Sequence, residues 1–210
     1  MSSRRRRKPL RATAFINIPY DQRFERLYLA LISGLCGFGL TPSATIQIPS
    51  SERRLDRILK TIRESRYSFH DLSRVELDRT PPPTPRLNMA FELGLAVASA
   101  GTPQRRHEWF VLEAKSHRLG KSLSDLGGTD AHIHHGTPHG LLRALTNALV
   151  RRRHQPTVTQ LERVYRDVRA TARAIKQDLR SKTLYEARAF KDLVAAAIRS
   201  AEQEIAVKRG

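Results

Sequence analysis

Short apolar runs bounded by turn residues alternate, over the first two thirds of the chain, with stretches whose apolar positions recur every three or four residues. The run Ala12 to Pro19 (ATAFINIP) predicts a buried first strand with Asn17 at its end. From Asp21 the spacing of Phe24, Leu27, Leu31 and Leu35 predicts a helix capped by Asp21 and closed by Gly37 or Gly39. Thr41 to Ile48 is short and β-branched and predicts a second strand, after which Ser50 or Ser51 opens a helix through Leu55, Ile58, Leu59 and Ile62. Arg66 to Ser73 (RYSFHDLS) is too short for a helix and predicts a third strand. The four prolines between Asp78 and Arg86 mark a loop, and Asn88 then caps a helix that runs to about Gly101. Glu108 to Ala114 (EWFVLEA) predicts another strand and Ser122 to Gly136 a loop. Thr137 with Pro138 supplies the N-cap and first turn of a helix to about Arg152. Strands alternating with helices predict an α/β fold with a flavodoxin-like open parallel sheet flanked by helices.

Beyond His154 the pattern becomes purely helical. Two capping boxes, Thr157 with Gln160 and Thr183 with Glu186, open stripes carried by Leu161, Val164, Val168, Ile175 and Leu179 and by Leu184, Phe190, Val194, Ile198 and Ile205. The chain therefore divides into a basic flexible leader over 1–11, an α/β domain over 12–154 and a C-terminal helical hairpin over 155–210. The hairpin either covers the sheet domain, self-associates into a homo-oligomer, or docks a partner.

Composition narrows the class. A chain of 210 residues with 40% hydrophobic and 28% charged residues buries one sizeable core and leaves some length for an appendage. Cys36, the one cysteine, excludes an intrachain disulfide framework and sits in an apolar run, which points to a reducing, cytoplasmic setting. The longest apolar stretch, Leu27 to Leu40, is too short for a bilayer, so no membrane partner is expected. A net charge of +18 points to nucleic acid, an anionic membrane surface or nucleotide phosphates, or, with arginine and alanine both enriched, to genomic base composition alone; the leader with Arg151 to Arg153 would hold nucleic acid nonspecifically. No aromatic-interleaved basic motif of the RNA-binding kind is present.

Candidate chemistry concentrates in MAFELGLAVASA, residues 89–100. This stretch is apolar around its circumference, which predicts an interior helix, and Glu92 is its one ionisable group. A buried carboxylate costs several kcal/mol unless it is paired or faces a cleft. Glu92 is thus either salt-bridged to an arginine or a cleft carboxylate held ionised near a helix N-terminus. Asp71 ends a central strand, where open α/β sheets place ligands, although a loop or helix cap would use it equally well. Asn17 and Tyr20 leave the first strand at the same edge, and Ser73, Arg74 and Asn88 flank the carboxylates, so all seven are expected to converge; Asn88 also suits a plain N-cap. The cluster Asp130, His132, His134, His135 and His139 has the residue types of a metal site, but its spacing fits no familiar one, and no metal is expected. Gly127 and Gly128 form no recognised phosphate loop, and no cofactor is expected.

The motifs AFINIPYD, SRYSFHDLSR and NMAFELGLA resemble the superfamily that joins nucleoside 2-deoxyribosyltransferases with Toll/interleukin-receptor-like (TIR-like) domains, over residues 12–152. The resemblance implies a flavodoxin-like sheet and cleavage of N-glycosidic bonds of nucleosides or of nicotinamide adenine dinucleotide (NAD) by a glutamate on the helix after strand three, which Glu92 matches. It implies NAD as a substrate rather than a cofactor. Asp71 would orient the sugar or base, Arg74 would meet phosphate and Tyr20 would stack on a base. The stretch Pro81 to Pro85 lacks the acidic residue that the deoxyribosyltransferases carry there, which argues against base exchange. The expectation is an N-glycosidase acting on a nicotinamide dinucleotide or related nucleotide; the alternative is a non-catalytic TIR-like nucleotide-binding or assembly module in signalling.

Overall fold

A computed structural model describes residues 11–47, 53–74, 76–77, 81–100, 106–150 and 155–206. Residues 1–10 of the leader, the proposed caps Ser50 and Ser51, the helix end at Gly101 and the basic run Arg151 to Arg153 lie outside the described residues.

Five parallel strands form the sheet: β1 (Thr13–Asn17), β2 (Thr41–Ser43), β3 (Tyr67–Asp71), β4 (Glu108–Glu113) and β5 (His132–Ile133), in the order β2-β1-β3-β4-β5. This is the flavodoxin-like order, with the chain reversing direction across the sheet between β1 and β3. Seven helices are described: α1 (Glu25–Gly37), α2 (Arg54–Glu64), α3 (Asn88–Ala100), the short α4 (Leu119–Ser122), α5 (Pro138–Ala148), α6 (Val158–Asp178) and α7 (Ala187–Ala206). Alternation along β1 separates the two faces: Ala14 and Ile16 join a core with α1, α5, α6 and α7, while Phe15 joins Ile58, Ile62 and Ala96 of α2 and α3.

The interior helix is α1 and not α3. Every residue from Leu27 to Gly37 is buried, because the sheet covers one side of α1 and the C-terminal pair the other. A side chain at Gly37 would run into Leu161 of α6, and one at Gly34 into Leu145 and Leu142 of α5. Lys176 Nζ closes the contact with a 2.7 Å ion pair to Glu25. Helix α3 has no such outer cover. Only Glu92, Leu93 and Ala96 of it are buried, and Phe91 stays 57% exposed, so its uniform apolarity overstated its burial.

Other expectations are corrected locally. The second strand stops at Ser43 and turns into a 3-10 turn over Thr45–Gln47, where Gln47 Oε1 accepts from the Ala44 N–H. Residues 122–136 hold β5 and a 3-10 turn, besides the end of α4, and are not all loop. The first capping box forms at Thr157 and Gln160. The second does not: Thr183 Oγ1 accepts from Tyr185, Glu186 accepts from Ser181, and α7 begins only at Ala187. Among the described residues, no helix is long and apolar enough to cross a membrane.

Candidate functional site

The carboxyl end of β1, the turn after β2 and the start of α2 and α3 enclose a cavity of about 230 Å³. Of the residues expected at a site, Asn17, Tyr20, Arg74, Asn88 and Glu92 line it. The parallel strands end here and α3 starts here, so the sheet edge and the helix N-terminus meet as the fold requires of a ligand crevice.

Glu92 lies one turn into α3 and is 4% exposed. Arg54 Nη2 stands 3.7 Å from its Oε1, outside hydrogen-bond range, and the Arg54 side chain is 59% exposed. Burial pushes the Glu92 carboxyl up to about 7, with Arg54 pulling against it. Arg54 is therefore the ion-pair partner of Glu92 expected from the sequence, but an exposed one whose pull burial outweighs, and it stands beside the cavity. Arg54, Arg74 and Arg86 all line the cavity with the single carboxylate of Glu92, which makes it a place for an anion.

The other lining residues are anchored. Arg74 Nη1 pairs with Asp21 at 3.0 Å, and Asp21 also caps the 3-10 turn before α1 through the Arg23 N–H. The Tyr20 ring stacks on Tyr185 at 5.1 Å and meets Tyr28 edge-on at 6.4 Å. One face of the ring is thus taken by the C-terminal segment, and what Tyr20 brings to the cavity is its phenol, held up at about 12 chiefly by burial. Tyr185 donates its own hydroxyl proton to the Asp21 carbonyl at 2.7 Å. The helical pair therefore braces the cavity wall.

Asp71 and Ser73 do not line this cavity. Asp71 is fully buried, and its Oδ1 accepts from the Ser73 N–H at 2.9 Å. His134 Nδ1 accepts from the Gly136 N–H at 3.0 Å, so its proton sits on Nε2 and bonds Ser73 Oγ at 2.9 Å, leaving Asp71 Oδ2 3.4 Å away without a hydrogen bond. Arg118 ties the same loop to Glu113 of β4 and to the Ser73 carbonyl. This second network pins the ends of β3, β4 and β5 to one another.

The remaining histidines disperse: His139 pairs with Glu162 at 2.8 Å, and His132 packs beside Phe110. Among the described residues no three His, Cys, Asp or Glu side chains group to hold a metal ion. Sequence reasoning missed Arg54, Arg86 and Thr45 in the lining. Arg54 lies in an arginine-rich polar stretch where nothing marks one guanidinium over the next, and only the packing of α2 against α3 selects it; Arg86 ends the proline-rich loop, which gives no periodicity to place it. No protein-family model matches the chain, and a search of curated proteins finds no match.

Proposed function

We propose that the chain is a TIR-like N-glycosidase that cleaves the bond between ribose and base in a nicotinamide dinucleotide or a related nucleotide. The observation that carries this reading is Glu92, a buried carboxylate open to a cavity that three arginines otherwise make cationic. Departure of a base from the sugar anomeric carbon builds an oxocarbenium-like cation, and a carboxylate at that point stabilises or captures it. The arginines suit the phosphates of the same molecule. A second hollow of about 240 Å³ shares Arg74, Arg86 and Met89 with the first. Two small chambers meeting at two guanidiniums favour a substrate with a phosphate bridge between two groups.

The motif resemblance supports the same reading, since α3 follows β3 and carries Glu92. The test is release of nicotinamide or free base from a panel of dinucleotides and nucleosides, at high protein concentration, by wild type and Glu92→Gln. Release by wild type that Glu92→Gln abolishes is the expected result. Nucleotide binding with no release from any member would replace the enzyme by a binding module.

A further inference from the structure

Asn17 ends β1 at the cavity, 3% exposed, and both hydrogens of its Nδ2 are committed. One goes to His70 Nδ1 at 3.0 Å and the other to the Met89 carbonyl oxygen at 3.1 Å. A carbonyl oxygen can only accept, so the Met89 bond fixes which end of the amide is nitrogen. His70 Nδ1 must then accept, which leaves the ring proton on Nε2, directed at Ser68 Oγ 2.9 Å away. The Ser68 hydroxyl has one proton to give, and it goes to His107 Nε2 at 2.9 Å. His107 in turn donates from Nδ1 to the Ser65 carbonyl at 2.8 Å.

The same polarity follows when the chain of bonds is traced from Ser65, because that end is also a backbone carbonyl. Two acceptor-only termini over-determine the direction, and Ser68 and His70 have no exposure through which water could relax it. Burial, with a smaller push from His107, drives the His70 imidazole down to about 3, so it stays neutral and the relay keeps one sense. Among the described residues no donor reaches Asn17 Oδ1, which is also not one of the fully enclosed orphan atoms.

We propose that Asn17 is a specificity-determining residue: the relay locks its amide so that Oδ1 alone meets the ligand, and the cavity selects a molecule that places a hydrogen-bond donor there. Sugar hydroxyls and amide N–H groups both supply that donor. The ligand class rests on the nucleotide reading above, whereas the lock does not. His70, Ser68 and His107 are positioning residues that act through Asn17.

Two measurements on the full chain test this. Calorimetric titration compares adenosine 5′-monophosphate with its 2′-deoxy and 3′-deoxy counterparts, and nicotinamide mononucleotide with nicotinic acid mononucleotide. The probe lacking the matching donor is expected to bind wild type about tenfold more weakly, since an acceptor left unpaired out of water is costly. Asn17→Ala erases that difference, while Asn17→Asp, which keeps an acceptor toward the ligand, retains it. The sugar pairs and the base pair tell hydroxyl from amide. Equal binding of every pair by wild type, or discrimination that survives in Asn17→Ala, overturns the proposal.

Nitrogen-15 NMR of the imidazoles reads the lock itself: His70 is expected with its proton on Nε2 and His107 with its proton on Nδ1. A wild-type His70 protonated on Nδ1 overturns the lock whether or not any probe binds. Binding of no probe at all is failure of the nucleotide reading, and the tautomers then decide the lock alone.

Discussion

Arg54 approaches Glu92 to 3.7 Å and stops there, with the carboxylate buried and the guanidinium largely in solvent. A closed ion pair would hold the acid well below its ordinary range. Instead burial wins, and the carboxyl titrates near 7. The folded protein therefore binds a proton at Glu92 over a range in which the unfolded chain, with its ordinary carboxyl, does not.

The sign of the pH effect on stability follows. Between the ordinary value of 4.5 and about 7 the native state holds more protons at this site than the unfolded state, so the Glu92 term falls as pH rises through that window and then levels off. The total loss is roughly 3.5 kcal/mol at most, from about 1.4 kcal/mol per pH unit. Glu92→Gln is expected to remove that slope and to be as stable as wild type or more so above pH 7. Urea unfolding of both proteins between pH 4.5 and 8 measures it; a Glu92→Gln protein that is less stable at pH 8 would make the carboxylate a structural partner after all.

Arg54→Met tests the same pair from the other side. Removing the guanidinium takes away the pull that Arg54 exerts on Glu92, so the pH at which Glu92 ionises moves upward. If turnover needs the ionised carboxylate, the rise of kcat/KM with pH is expected near 7 in wild type and at higher pH in Arg54→Met. Coincident profiles would show that Arg54 does not act on Glu92. Because Arg54 is mostly exposed, its removal should change stability by less than about 1 kcal/mol.

Asp71 carries the opposite prediction. Its carboxylate serves Ser73 and faces His134 inside the second network, so Asp71→Asn perturbs the joint between β3 and β5 and not the cavity. A loss of roughly 1–3 kcal/mol in stability is expected, with turnover per folded molecule within a few-fold of wild type. Thermal melts beside active-site-normalised rates check it. A rate collapse at unchanged stability would return Asp71 to the site.

Much of this was legible in the chain, and the failures have two causes. Local signals served well: ATAFINIP, RYSFHDLS and EWFVLEA mark β1, β3 and β4, Thr137 caps α5 through the Gly140 N–H, and Thr157 with Gln160 forms its box. Glu92 stood out because an acid in an apolar stretch demands a partner or a cleft, and it does line the cavity. What went astray depended on what packs outside. Helices α1 and α3 are both apolar, and only the position of α6 and α7 makes α1 the buried one. Asp71 ends its strand as expected, yet one residue separates the face of β3 that carries His70 toward Asn17 from the one that turns Asp71 toward His134. Strand β5 has two residues and no apolar run, so no periodicity could announce it.

Tyr185 joins the C-terminal pair to the cavity, and its removal should therefore be felt at the ligand. Its ring stacks on Tyr20, and its hydroxyl holds the Asp21 carbonyl, while Asp21 holds Arg74. Tyr185→Phe keeps the stack and loses one neutral hydrogen bond, a cost of about 1 kcal/mol. Tyr185→Ala also strips the support from one face of Tyr20 and frees the loop whose Asp21 pairs with Arg74. Weaker ligand binding is expected in that order, several-fold for Tyr185→Ala against little change for Tyr185→Phe, with kcat less affected than KM because Glu92 is untouched. A Tyr185→Ala protein that melts earlier but binds nucleotide as wild type does would confine the helical pair to stability, since the loop from Pro19 to Asp21 would then hold its shape without it.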